Sequence, residues 1–320
     1  MSYIGHDQAW NEWHAALASP RMHHGWILAG RRGIGKAGFA VQAARELLAE
    51  PGMEQPKGAH PDIIVLSHLP ANKEEEKKKE QGKPFQLKRN ISVDQIREMQ
   101  QRLTTRPTLG SRRAIIIDPA DDMEKGASNA LLKSLEEPPV GSFFLLVTHR
   151  PGRLLATIRS RCRMLSFPRL SEEQLETVLA REAPEVDAAT RSAAIAASGG
   201  SPGAALDFVE MDLGGLHGLM CEIAERGDDD FSLRGRMADA MGVRPTRERQ
   251  LAAVDLARAV AANRMASIGA REIPGLVEAH AELSRLTAQV PTYNFDPGLL
   301  VMEIGTLLTK LATYREAANG

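Results

Sequence analysis

Trp26-Ile27-Leu28-Ala29-Gly30-Arg31-Arg32-Gly33-Ile34-Gly35-Lys36-Ala37 is the stretch that decides the fold. Four apolar residues predict a short buried strand, and the glycine cluster ends it. Lys36 to Ala49 then reads as a helix with Phe39, Ala40, Ala43, Ala44 and Leu47 along one side. Between them lies G-x-x-x-x-G-K, the P-loop pattern. Its glycines let backbone N–H groups cradle phosphates at a helix N-terminus, its lysine balances β/γ-phosphate charge, and a following Ser or Thr binds Mg²⁺. Ala37 has no hydroxyl. The competing reading is a glycine-rich strand-to-helix turn with an incidental lysine.

Further along, Ile115-Ile116-Ile117-Asp118 is an apolar strand ending in the carboxylate that holds Mg²⁺ through water in nucleotide-hydrolysing P-loop proteins. Gly30, Gly33, Gly35, Lys36 and Asp118 are therefore the candidate nucleotide-binding residues. Pro119 follows Asp118, where hydrolysing proteins carry a glutamate; proline neither accepts a proton nor orients a water. Asp62 to Leu66 and Phe143 to Val147 are further apolar strands. Ser92-Val93-Asp94-Gln95 has capping-box spacing and predicts a helix through Ile96, Met99 and Leu103. Lys125 to Glu137 is helical until Pro138-Pro139 stops it. Alternating strands and helices predict a doubly wound α/β domain over 1–169. Lys73 to Lys83, nearly all Lys, Glu, Gln and Gly, is expected to be a solvated, mobile hairpin tip or insertion.

A second capping box, Ser171-Glu172-Glu173-Gln174, opens two short helices, near Gln174 to Arg181 and Asp187 to Ser198, that end at the breaker Gly199 to Gly203. These predict a small helical domain over 170–207. Ala- and Leu-rich periodic segments predict an all-helical domain over 208–320, with Asp296-Pro297 opening its last helix.

The chain has 320 residues, enough for two or three domains at roughly 100–200 residues each. Two cysteines, Cys162 and Cys221, cannot form a four-cysteine zinc site or a disulfide framework, and their scarcity fits a cytoplasmic protein. Met1 to Pro20 has no apolar run of a signal peptide, and no long apolar stretch predicts a membrane span. Net charge is −1, which argues against autonomous tight DNA binding. That neutrality averages unlike regions. Arg150 to Arg169 holds six arginines and no acid, whereas Glu222 to Asp230 holds five acids and one arginine.

Ser128-Asn129-Ala130-Leu131-Leu132-Lys133-Ser134-Leu135-Glu136-Glu137-Pro138-Pro139, with Phe143 to Thr148 and Ser160-Arg161-Cys162 behind it, closely resembles the bacterial clamp-loader proteins of the AAA+ superfamily. Asn294-Phe295-Asp296-Pro297 resembles the start of that family's last collar helix. The resemblance implies an α/β AAA+ P-loop module, a small helical lid and an all-α collar. It also implies a ring of five subunits, with motor gamma/tau and delta neighbours, acting with a sliding clamp and primer-template DNA in the replisome, and no membrane partner. In that family the Ser-Arg-Cys arginine is a finger reaching ATP held by a neighbour, a role that falls on Arg161. Ala37, Pro119 and Gly203, the last standing where motor subunits carry a phosphate-sensing arginine, depart from the hydrolysing pattern. Together they imply a subunit that does not turn over ATP. Its ATP or ADP binding would be weak, and no cofactor would be required. Glu50 to His60 has no cysteine where some relatives carry a zinc module, so no zinc is expected. An active P-loop ATPase and a module holding nucleotide as a structural ligand remain alternatives, since Lys36 and Asp118 are both present.

Overall fold

In a computed structural model, residues 4–266, 273–290 and 295–318 are described. They form two compact units, one ending at Arg169 and one beginning at Leu170. No described helix is long and apolar enough to cross a membrane.

The first unit contains α1 (Asp7–Leu17), β1 (Gly25–Gly30), α2 (Lys36–Leu48), β2 (Ile63–Leu66), α3 (Lys73–Glu80), α4 (Val93–Leu103), β3 (Arg113–Ile117), α5 (Lys125–Glu136), β4 (Ser142–Thr148), α6 (Ala156–Arg159) and β5 (Arg163–Phe167). The strands form one parallel sheet in the order β2-β3-β4-β1-β5. A parallel sheet covered on both faces needs strands without a polar side, and β3 is buried throughout. One face of the sheet carries Ile27, Ile115, Ile117, Phe144 and Leu146 against Ile96, Met99 and Leu103 of α4 and Leu131 and Leu135 of α5. The capping box read at Ser92 and Gln95 is formed and starts α4.

Helices α1 and α6 and strand β5 have no counterpart in the sequence analysis. In α1, Trp10 packs on Phe39 at 4.1 Å between centroids and Trp13 meets Trp26 edge-on at 5.4 Å. Strand β5 alternates exposed and buried residues at the sheet's edge, which hides it inside the arginine run.

The charged segment at Lys73, expected as a solvated hairpin tip or insertion, is carried between antiparallel-paired Pro70 and Leu87 and contains a helix. Asn72 Oδ1 accepts N–H bonds from Glu74 (2.9 Å) and Glu75 (3.0 Å), satisfying orphan donors at the start of α3. Acids fill its first turn and lysines its last, which complements the helix dipole. Glu75 is buried, although the composition suggested that nothing here could be.

The second unit is helical among its described residues: α7 (Glu172–Glu182), α8 (Ala188–Ser198), α9 (Pro202–Glu210), α10 (Gly214–Arg226), α11 (Ser232–Met241), α12 (Arg247–Ala266), α13 (Ile273–Gln289) and α14 (Pro297–Ala318). One apolar cluster running from Leu179 through Phe208, Ile223 and Val254 to Leu311 joins these helices. Gly199 ends α8 in the left-handed conformation, and the Ser201 hydroxyl caps α9. The Asp296 carboxylate accepts from Leu299 N–H at the start of α14 (3.0 Å). Asn294, part of the same sequence motif, lies outside the described residues.

Candidate functional site

All five strands run in one direction, so the C-terminal ends of β1, β3 and β4 share one edge, where open α/β sheets bind ligands. The P-loop leaves β1 there. A Cβ on Gly30 would sit 2.6 Å from Phe167 O, so only glycine allows β1 to lie this close to β5. Gly33 and Gly35 have φ of 74° and 100°, the left-handed backbone that turns the loop into α2. Lys36 is buried, and its Nζ donates to Gly30 O (2.7 Å) and Arg31 O (2.5 Å). Burial pulls its pKa down to about 8 against the opposing pull of Asp118 and Asp121.

Asp118 follows β3, its N–H donating to Leu66 O (2.9 Å). Burial pushes its carboxyl above the ordinary range, and Lys36 partly offsets this. The structure thus gathers Gly30, Gly33, Gly35, Lys36 and Asp118 at one edge.

Three further residues belong to this edge. Asp121 accepts bonds from the Thr148 hydroxyl and from His149 N–H (2.6 Å), fixing the turn after β4. The His149 imidazole is pulled down to about 4, by burial first and by Lys36 next. At the start of α1, His6 Nε2 lies 2.6 Å from Ile34 O of the P-loop, with its ring edge-on to Phe167 at 4.9 Å. His149 follows a strand that ends beside Lys36, so the strand-end rule could have found it. His6 carries no local sequence signal.

These residues fit a phosphate better than a hydrolytic centre. The positive-φ glycines and the α2 N-terminus keep the cradle, and a phosphate would compete with two loop carbonyls for Lys36. Ala37 gives Mg²⁺ no hydroxyl, and Pro119 gives water no base.

Arg161 lies elsewhere. It lies two residues before β5, at the opposite edge of the sheet. From the Arg163–Trp26 register pair to the Phe167–Gly30 pair is four residues, or roughly 13 Å. Its Nη1 donates to Thr157 O (2.9 Å), and its Nη2 lies 2.7 Å from Glu136 Oε1. Cys162 beside it packs against the apolar cluster of the sheet, and this burial pushes its thiol up to about 12. Arg163 lies over the Trp26 ring at 5.3 Å.

A family model described as DNA polymerase III, delta subunit, matches residues 5–171. The chain is similar to DNA polymerase III subunit delta' of Pseudomonas aeruginosa, 34% identical over 191 residues, covering 56% of this chain and 53% of that protein. Against DNA polymerase III subunit delta' of Escherichia coli it is 31% identical over 224 residues, covering 65% of this chain and 61% of that protein. The matched stretch thus spans little more than half the length of these relatives. DNA polymerase III subunit gamma/tau of Mycobacterium tuberculosis is 31% identical over 206 residues, covering 62% of this chain and 34% of that protein. Among solved structures, a DNA polymerase III gamma subunit-related protein from Thermotoga maritima superposes with a TM-score of 0.49 at 19% identity, covering 96% of this chain and 100% of that one.

Proposed function

Because the chain belongs to the DNA polymerase III delta subunit family, we propose that it is a clamp-loader subunit that does not hydrolyse ATP and that offers Arg161 in trans to the ATP of a neighbouring motor subunit. In this reading residues 170–207 form the lid and 208–320 the collar that joins the ring. The ring holds gamma/tau and delta partners and acts on a sliding clamp and primer-template DNA. The observation that carries the reading is the placement of Arg161. It stands at the sheet edge away from Lys36, tethered to Glu136 but about one-third exposed, so it can serve a neighbour's nucleotide and not its own. The loss of hydroxyl and base at Ala37 and Pro119 supports a silent P-loop, to which we assign at most weak ATP or ADP binding.

The chain alone is expected to show no magnesium-dependent ATP hydrolysis; a rate near ~10 per second overturns the reading. In the reconstituted complex, Arg161→Ala is expected to lower DNA-dependent ATP turnover by orders of magnitude while the complex stays assembled, as loss of an arginine finger does. Unchanged turnover removes the finger.

A further inference from the structure

The segment around α3 has no part in the reading above, yet it is built. Glu75 turns inward, where its Oε1 lies 2.7 Å from Lys78 Nζ and its Oε2 accepts the Gln86 N–H at 2.6 Å. Ala71 N–H donates to Gln86 O (2.9 Å) and Lys88 N–H to Leu69 O (2.7 Å), closing a short antiparallel ladder under the helix. With Glu75 turned inward, the residues beyond it are mostly basic. From Lys77 to Arg89 there are six cations and one acid, in a chain of net charge −1. Residues 81–90 are all exposed. Phe85 stands in their midst, 37% exposed, with Lys79 Nζ 6.0 Å from its ring centroid.

We propose that this platform, Lys77, Lys79, Lys83 and Lys88 around the exposed Phe85 ring, binds a single strand of nucleic acid. The lysines meet successive phosphates, and an unpaired base stacks on Phe85. A solvated charged face explains the lysines but not a partly exposed aromatic ring among them. An acidic peptide satisfies the lysines but need not bring a flat surface to stack on the ring, whereas every base of a single strand does. The inference does not depend on the finger assigned to Arg161.

Fluorescence anisotropy of the full chain with labelled oligo-dT, at several salt concentrations, tests it. Four phosphate contacts predict a slope of log affinity against log salt of about −3. The triple variant K79A/K83A/K88A is expected to weaken binding at least tenfold and to flatten that slope by about 2. Phe85→Ala is expected to weaken it about five- to tenfold with the slope unchanged. All four side chains are exposed, so circular dichroism should show wild-type folding. Wild-type binding by the triple variant overturns the proposal. So does a silent Phe85→Ala accompanied by equal competition from poly-glutamate, which would place an acidic protein there instead.

Discussion

Gly25→Ala tests whether the start of β1 and the Arg161 segment are one packed unit. Gly25 opens a buried central strand with no positive φ, so its backbone accepts alanine. Reduced freedom of the unfolded chain would by itself stabilise the variant by about 0.4–1 kcal/mol. The local packing opposes this. The new Cβ would lie 2.9 Å from Cys162 Sγ, 3.1 Å from Arg161 O and 3.5 Å from Leu135 Cδ2. Sulfur and a main-chain carbonyl must give way together, an overpacking cost of about 1–3 kcal/mol. The clash outweighs the entropy, and the variant should be less stable by about 1–2 kcal/mol. The three tryptophans, Trp10, Trp13 and Trp26, all lie in the first unit, so urea unfolding followed by their emission reads that unit alone. Cys162→Ala removes one of the clashing atoms. The double variant G25A/C162A should therefore be more stable than the sum of the single effects requires, by 0.5 kcal/mol or more. Strict additivity, or a Gly25→Ala chain as stable as wild type, would refute the packing argument.

Three other outcomes follow from the geometry. Glu136→Ala removes the exposed carboxylate that holds Arg161, which should change stability by less than about 1 kcal/mol. If the finger reading is right, turnover of the reconstituted complex should still fall roughly tenfold through loss of orientation, whereas wild-type turnover removes Glu136 from the account. Burial holds the folded His149 near pKa 4, below its unfolded value of about 6.5. The unfolded chain therefore binds the extra proton between these values, and stability falls as pH drops from 6.5 to 4, by on the order of 2 kcal/mol. His149→Gln should flatten that part of a urea-midpoint profile, and a profile identical to wild type refutes the assignment. Asn72→Ala deletes the cap of α3, worth about 0.5–2 kcal/mol. It should speed amide exchange over Lys77 to Gly82 while exchange in the sheet is unchanged; slow exchange at Lys77 to Gly82 would show that the ladder alone holds the helix.

The central strands and the P-loop were legible because their signals are local: an unbroken apolar run, a glycine at a fixed offset, a Ser and Gln three residues apart. Lys36 and Asp118 could be paired from the sequence because parallel strands, all ending in one direction, share an edge. Legibility stopped where a partner lies far along the chain. His6 meets Ile34 and Glu75 meets Gln86, and no composition window contains the reason. Lys73 to Lys83 looked unable to bury anything because its average is charged. One inward glutamate and one capping asparagine suffice to order it. Strand β5 is hidden for the converse reason: its exposed Arg163 belongs to the arginine run, whose charge masks the buried Leu165 and Phe167.

The two edges of the sheet rest on separate contacts, which bears on whether the P-loop and Arg161 can act independently, as proposed. At the P-loop edge, Gly30 packs on Phe167, His6 bonds Ile34 O, and Asp121 holds the turn after β4. At the other edge, Gly25 packs on Cys162 and Arg161 is tied to Glu136 at the end of α5. No side chain is common to both sets. Ala37 and Pro119 stand next to Lys36 and Asp118 at the first edge, and neither belongs to the contacts that hold Arg161. Effects at sites with no shared partners add rather than couple. If the P-loop is silent as proposed, its Lys36→Ala effect is nil, so combining it with Arg161→Ala should lower complex turnover no further than Arg161→Ala alone; a deeper loss would mean that the P-loop edge still contributes to the reaction.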